Sequence, residues 1–170
     1  MSQLASKRFP THLQTVFKGG FREVYRFGEE DRKLYEEVVG KLKNLVLEAA
    51  DKLKPKLVIL YGSFVKGDWH RGSDLDILMV SDNVPSNYKD RWDLLYTVIM
   101  GFPVEPHIYT TQEFEEMLTH GRMTALDALT EGVTLYADEK FMKKTDKTLK
   151  ETMKKLKPKK TSLGWELKKP

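Results

Sequence analysis

The stretch from residue 57 to residue 80 constrains this chain more than any other. Leu57 to Tyr61 is an unbroken apolar run, and Asp74 to Val80 reads as a second strand. Apolar runs this short, closed by glycine, read as strands buried on both faces. Gly62 ends the first, and residues 62–72 form a glycine-punctuated connection with room for one helical turn. Two such strands demand helices above and below them, so the rest of the chain must supply two layers.

The flanking sequence meets that demand. From Glu29, apolar residues Leu34, Val38, Leu42, Leu45, Val46, Ala49 and Leu53 keep the 3.6-residue period, with acids at the start and Lys52 and Lys54 before Pro55. Pro85 and Asn87 mark a loop, and a helix is expected over Tyr88–Met100, burying Trp92, Leu95 and Ile99. Val104–Tyr109 reads as a strand, at an edge or bulged because Pro106 cannot donate a ladder hydrogen bond. Thr110 and Glu113 have capping-box spacing for a short helix, with Phe114, Met117 and Leu118 inward. A helix over Met123–Leu129, a strand over Val133–Tyr136 and a last helix from about Glu139, stopped by Pro158, complete the order α-β-β-α-β-α-α-β-α. The expected fold is α/β, one mixed sheet of about four strands flanked by helices. Residues 1–28, with Pro10, Gly19, Gly20 and scattered aromatics, read as an irregular arm.

Composition removes several classes of function. There is no cysteine, which excludes disulfides, thiolate nucleophiles and Cys-ligated zinc. No stretch approaches the roughly 18–20 apolar residues of a membrane span, so a soluble, cytoplasmic protein is expected. Residues 140–170 hold 12 Lys against Asp146, Glu151 and Glu166, a net of +9, which leaves −5 for residues 1–139 of the overall +4. A slightly acidic body with a Lys-rich helix and tail differs from a uniformly basic nucleic-acid binder. The tail reads either as a solvated helix face or as an electrostatic handle for nucleic acid or an acidic partner.

Alternation along a strand puts Asp74 and Asp76 on one face and Leu75 and Ile77 on the other. Paired carboxylates at that spacing suit magnesium or manganese, and they also suit a turn cap with one acid facing water. Gly62-Ser63 sits where a strand turns toward a helix, presenting backbone N–H groups and a hydroxyl to an anion. A third carboxylate is needed to complete a two-metal site and to help deprotonate an attacking hydroxyl. Glu105, on the next strand, is the candidate, and it shares a face with His107 and Tyr109. Lys66 and Arg71 lie in the connection as charges for a triphosphate, or as solvated loop charges. His70 and His107 read as surface histidines and are assigned no metal, and Trp69 reads as packing on the body.

Taken together, YGSFVKGDWHRGSDLDILMV resembles the signature of the DNA polymerase beta-like nucleotidyltransferase superfamily: GS, about ten residues, then Gly-Ser-Asp-x-Asp. The likeness spans about residues 30–136 and runs toward the small prokaryotic nucleotidyltransferases paired with HEPN-domain toxins. It implies a nucleotidyltransferase domain over 29–139, with Gly62, Ser63, Lys66, Arg71 and Ser73 around the nucleotide phosphates. It further implies Asp74, Asp76 and Glu105 as metal-binding and catalytic residues, two Mg²⁺ or Mn²⁺ ions, ATP or another NTP as donor, and a HEPN-type toxin as partner. Two positions depart from the pattern: Lys66 stands where many relatives have Arg, and Glu105 where many have Asp. The competing expectation is a catalytically weak module that neutralises a partner or binds RNA through its basic tail.

Overall fold

The structure is a computed structural model and describes residues 28–70 and 72–167. The expected N-terminal arm, residues 1–27, and Arg71 lie outside the described residues. Helix α1 (Glu29–Leu53) opens with Glu29, Glu30 and Asp31 and buries Tyr35, Val38, Val39, Leu42, Val46 and Leu53. Acids at its start oppose the partial positive charge there, and Lys54, in left-handed conformation, caps its end on the Ala50 carbonyl. Strand β1 (Leu57–Tyr61) is buried at every position, and β2 (Leu75–Val80) at every position but Asp76. The single-turn helix α2 (Ser63–Lys66) joins them.

Strands β3 (Val98–Ile99), β4 (Phe102–Tyr109) and β5 (Val133–Ala137) complete a five-stranded mixed sheet in the order β3-β4-β2-β1-β5. β2 and β4 are parallel; β1 runs antiparallel to both β2 and β5. α1 covers one face through Val58, Leu60, Leu75, Ile77 and Met79. Helices α3 (Thr111–Thr119), α4 (Met123–Glu131) and α5 (Glu139–Leu156) cover the other through Leu57, Ile59, Leu78 and Val80. Among the described residues no helix is long and apolar enough to cross a membrane.

Three expectations need correction in detail. The sheet has five strands rather than about four, because residues 88–99 are not one helix. They form a 3-10 segment (Tyr88–Leu94) and then the two-residue β3, which pairs with Phe102–Pro103. Leu95 and Ile99 are buried as expected, but Trp92 is 39% exposed and the inward residue is Arg91. A helical period was legible there because apolar residues recur three and four apart. What overrides it is the buried guanidinium, which takes the carbonyls of Pro85, Ser86 and Ile108 and both oxygens of Glu113. Finally, the stretch after the Lys-rich helix, read from the sequence only as a tail, contains regular structure. Residues 159–166 form a hairpin, β6 (Lys159–Thr161) and β7 (Gly164–Glu166). Trp165 Nε1 donates to Asp127 on α4 at 2.9 Å, and Lys160 pairs with Asp127 and Glu131.

Pro106 falls where β4 has a strand neighbour on one side only, since β3 reaches no further than Pro103. Its missing N–H is therefore tolerated. The Thr110 capping box forms as expected, with the Glu113 carboxylate returning to the Thr110 N–H at 2.7 Å.

Candidate active site

The site gathers where β1 ends and β2 begins. Gly62 closes β1 with φ at +83°, a conformation that favours glycine, and the Lys66 N–H returns to its carbonyl at 3.2 Å to make the single turn of α2. A methyl group on Gly62 would collide with the Asp76 carboxylate, lying 3.1 Å from Cγ and closer still to Oδ2. Glycine here serves the turn and also clears room for the acid. Behind it an aromatic cluster pins the connection to the core. Phe64 stacks on Tyr35 at 5.5 Å between ring centroids and meets Phe102 at 5.3 Å, and Trp69 packs on both Phe64 and Phe102. Trp69 is thus a packing residue, as its sequence context suggested.

Asp76 is the one partly exposed position of β2, opposite Tyr61 on β1 and Glu105 on β4. Leu75 and Ile77 point into the α1 layer, so Asp76 faces the other way, as alternation requires. Asp74 precedes the strand, and its charge acts on Glu105. Asp76 and Glu105 therefore lie side by side on one face, with Asp74 just ahead of β2. Burial holds Glu105 above the ordinary carboxylate range; His107 opposes the shift, while Asp76 and Asp74 add to it. Tyr61, beside the acids, is pushed up by burial first and by the Asp76 charge second, so it stays a neutral phenol.

Acids crowded this way favour a cation between them. The oxygen donors, and the clearance that Gly62 gives Asp76, fit the divalent metal that the sequence implied.

Other expected residues stand differently. Ser73 is buried, and its hydroxyl accepts from the His70 N–H at 3.0 Å while its own N–H returns to the His70 carbonyl, so it closes a turn. The Lys66 ammonium pairs with Glu131 of α4 at 2.9 Å. Ser63 is half-buried at the head of α2.

His107 is the residue that sequence reasoning passed over. Its Nε2 lies 3.6 Å from Asp76 Oδ1 and 3.7 Å from Glu105 Oε1, and its Nδ1 lies 3.4 Å from the Tyr88 hydroxyl. The signal was present in its shared strand face with Glu105. The register that sets this face opposite Asp76 was not. Beyond it, Tyr88 and Tyr109 stack at 5.6 Å and open onto a cleft of about 420 Å³ that Met117, Glu113, Glu116, His120 and Arg122 complete.

The family model for the nucleotidyltransferase domain matches residues 42–131, which contain the whole of this site. The chain belongs to the nucleotidyltransferase domain family. No curated protein matches the sequence. Among solved structures, this nucleotidyltransferase is similar to a candidate nucleotidyltransferase from Sulfolobus solfataricus, at 22% identity and a TM-score of 0.48, over 67% of this chain and 93% of that one. It is also similar to a toxin-antitoxin crystallised with AMP-PNP, at 19% identity and a TM-score of 0.42, over 68% and 86% of the two chains. A toxin-antitoxin MntA-HpeT mutant aligns at 16% identity and a TM-score of 0.43, over 70% and 92%.

Proposed function

We propose that this nucleotidyltransferase moves a nucleoside monophosphate from an NTP, ATP first, onto an acceptor hydroxyl with release of pyrophosphate. The observation that carries the reading is the pairing of Asp76 with Glu105 on one sheet face, with Asp74 just ahead of β2, beside the Gly62-Ser63 turn. The turn's N–H groups and the Ser63 hydroxyl hold the phosphates. Asp74, Asp76 and Glu105 hold divalent cations, two Mg²⁺ or Mn²⁺. Bound metal supplies charge neutralisation and a more acidic acceptor hydroxyl.

Strand order supports a reading in which the two substrates approach from opposite sides. In-line displacement requires the attacking oxygen and the leaving pyrophosphate to flank the α-phosphorus. With β2 between β1 and β4, the phosphate turn stands on one side of Asp76 and Glu105 on the other. The acceptor then approaches over β4. Its oxygen bonds to the α-phosphorus, its proton passes to Glu105, and the bond to the β-phosphate breaks toward Ser63.

On that side the cleft has two stacked tyrosines, and among the described residues Arg122 is the one arginine or lysine that lines it, beside Glu116 and the Arg91-paired Glu113. A polyphosphate backbone finds little there to neutralise it, so a protein or small-molecule hydroxyl precedes an RNA 3′ end as acceptor. A protein partner of the antitoxin-pair kind is the first to test, in keeping with the resemblance in the sequence.

The experiment incubates the protein with each α-labelled NTP, Mg²⁺ or Mn²⁺, and lysate of its own host. Label that resists ribonuclease, yields to protease and vanishes in Asp76→Asn is the expected outcome. No transfer from any NTP with either metal would sink the enzymatic reading.

A further inference from the structure

We propose that His107 supplies a nitrogen ligand, through Nε2, to the cation held by Asp76 and Glu105, and that the site therefore prefers manganese over magnesium. The proposal rests on the reading of those two acids as metal ligands. One ligand atom from each of Asp76, Glu105 and His107 lies within 4.8 Å of the others. The imidazole Nε2 is 3.6 Å and 3.7 Å from the two carboxylate oxygens, too far for hydrogen bonds to either. Adjacent ligands about 2.1 Å from an octahedral centre lie about 3.0 Å apart, so each nitrogen–oxygen distance needs to close by only about 0.6–0.7 Å for the groups to share one cation. The spacing is that of groups facing one point rather than one another.

The far side of the ring agrees. A histidine that gives Nε2 to a metal carries its proton on Nδ1 and needs an acceptor for it. The Tyr88 phenol oxygen stands 3.4 Å from Nδ1. Tyr88 is itself held, stacked on Tyr109 at 5.6 Å and with its ring 5.7 Å from the guanidinium of the buried Arg91. The orientation of His107 is thus tied to the packed 3-10 segment. Magnesium binds oxygen and resists losing water, whereas manganese tolerates imidazole, so one nitrogen shifts the preference without excluding magnesium.

Metal binding to the 170-residue chain, measured without nucleotide, tests this separately from transfer. Pulsed electron paramagnetic resonance of the Mn²⁺-loaded protein should show ¹⁴N coupling from a single imidazole. In His107→Gln that coupling should disappear, with Mn²⁺ affinity falling about tenfold or more and Mg²⁺ affinity changing less than about twofold. Tyr88→Phe should keep the coupling and weaken Mn²⁺ binding less. Absence of ¹⁴N coupling in the unaltered protein, its persistence in His107→Gln, or equal weakening of both metals overturns the proposal. Asp76→Asn distinguishes the failures. If it abolishes Mn²⁺ binding while the unaltered protein shows no ¹⁴N coupling, the carboxylate reading stands and the histidine does not. If Mn²⁺ binding survives Asp76→Asn, both fall.

Discussion

At Gly62 one missing side chain serves both halves of the site. Positive φ turns the chain out of β1, and the absent Cβ leaves room for the Asp76 carboxylate. Gly62→Ala should therefore damage metal binding more than folding. We expect nucleotide transfer to fall by about 100-fold or more, since displacing a catalytic group by an ångström already costs about that much. The unfolding midpoint should drop by only a few degrees; circular dichroism and the labelled-NTP assay read the two separately. Glu105 offers a subtler test. Glu105→Asp should retain measurable transfer with weaker metal binding, whereas Glu105→Gln should remove both, because only the first keeps a charged oxygen donor. Alternation along a strand made Asp74 and Asp76 legible as a pair on one face, and Glu105 as sharing a face with His107. What sets Glu105 and His107 beside Asp76 is the parallel register, with Asp76 opposite Glu105 and Leu78 opposite His107, and no local pattern encodes it.

The element that escaped sequence reading is also the one with the costliest single interaction. Segment 85–94 is organised around Arg91, 1% exposed and bonded to three carbonyls and to Glu113 at 2.5 Å and 3.0 Å. Hydrophobic period alone reads such a stretch as helix. A buried guanidinium that draws backbone carbonyls toward itself breaks the helical bonding pattern. By contrast, α1 and the capped α3 were readable because local caps and long-range burial agree. Arg91→Met should destabilise the protein by about 3–5 kcal/mol in urea unfolding, because Glu113 and the carbonyls lose their partner. Adding Glu113→Gln should recover part of that loss. Acid should act through the same contact. The Arg91 bond holds Glu113 below its ordinary 4.5, and Lys56 holds Asp82 down to about 2. Carboxylates depressed on folding stabilise above their ordinary values and lose that contribution as pH falls through the depressed ones. Thermal midpoints should therefore decline from about pH 5 toward pH 2, and Glu113→Gln should flatten the decline.

Across the whole molecule, the Lys-rich end divides into parts with different duties. Helix α5 buries Phe141, Thr145 and Thr152, with Phe141 6.2 Å from Phe114, and so belongs to the core layer. The β6-β7 hairpin adds contacts from outside, through Lys160 and Trp165 on α4. Ending the chain at Lys157 should leave transfer largely intact with a modest fall in thermal midpoint. Ending it at Asp138 should abolish folding, as tryptophan fluorescence and gel filtration would show. Strand β2 gives the architecture its remaining consequence. It is bonded along its length to β1 on one side and β4 on the other, and it carries Asp76. Amides bonded in that way exchange with deuterium only when the sheet as a whole opens. Asp76 thus rides on the last part of the protein to come apart, and heat inactivation should coincide with global unfolding instead of preceding it.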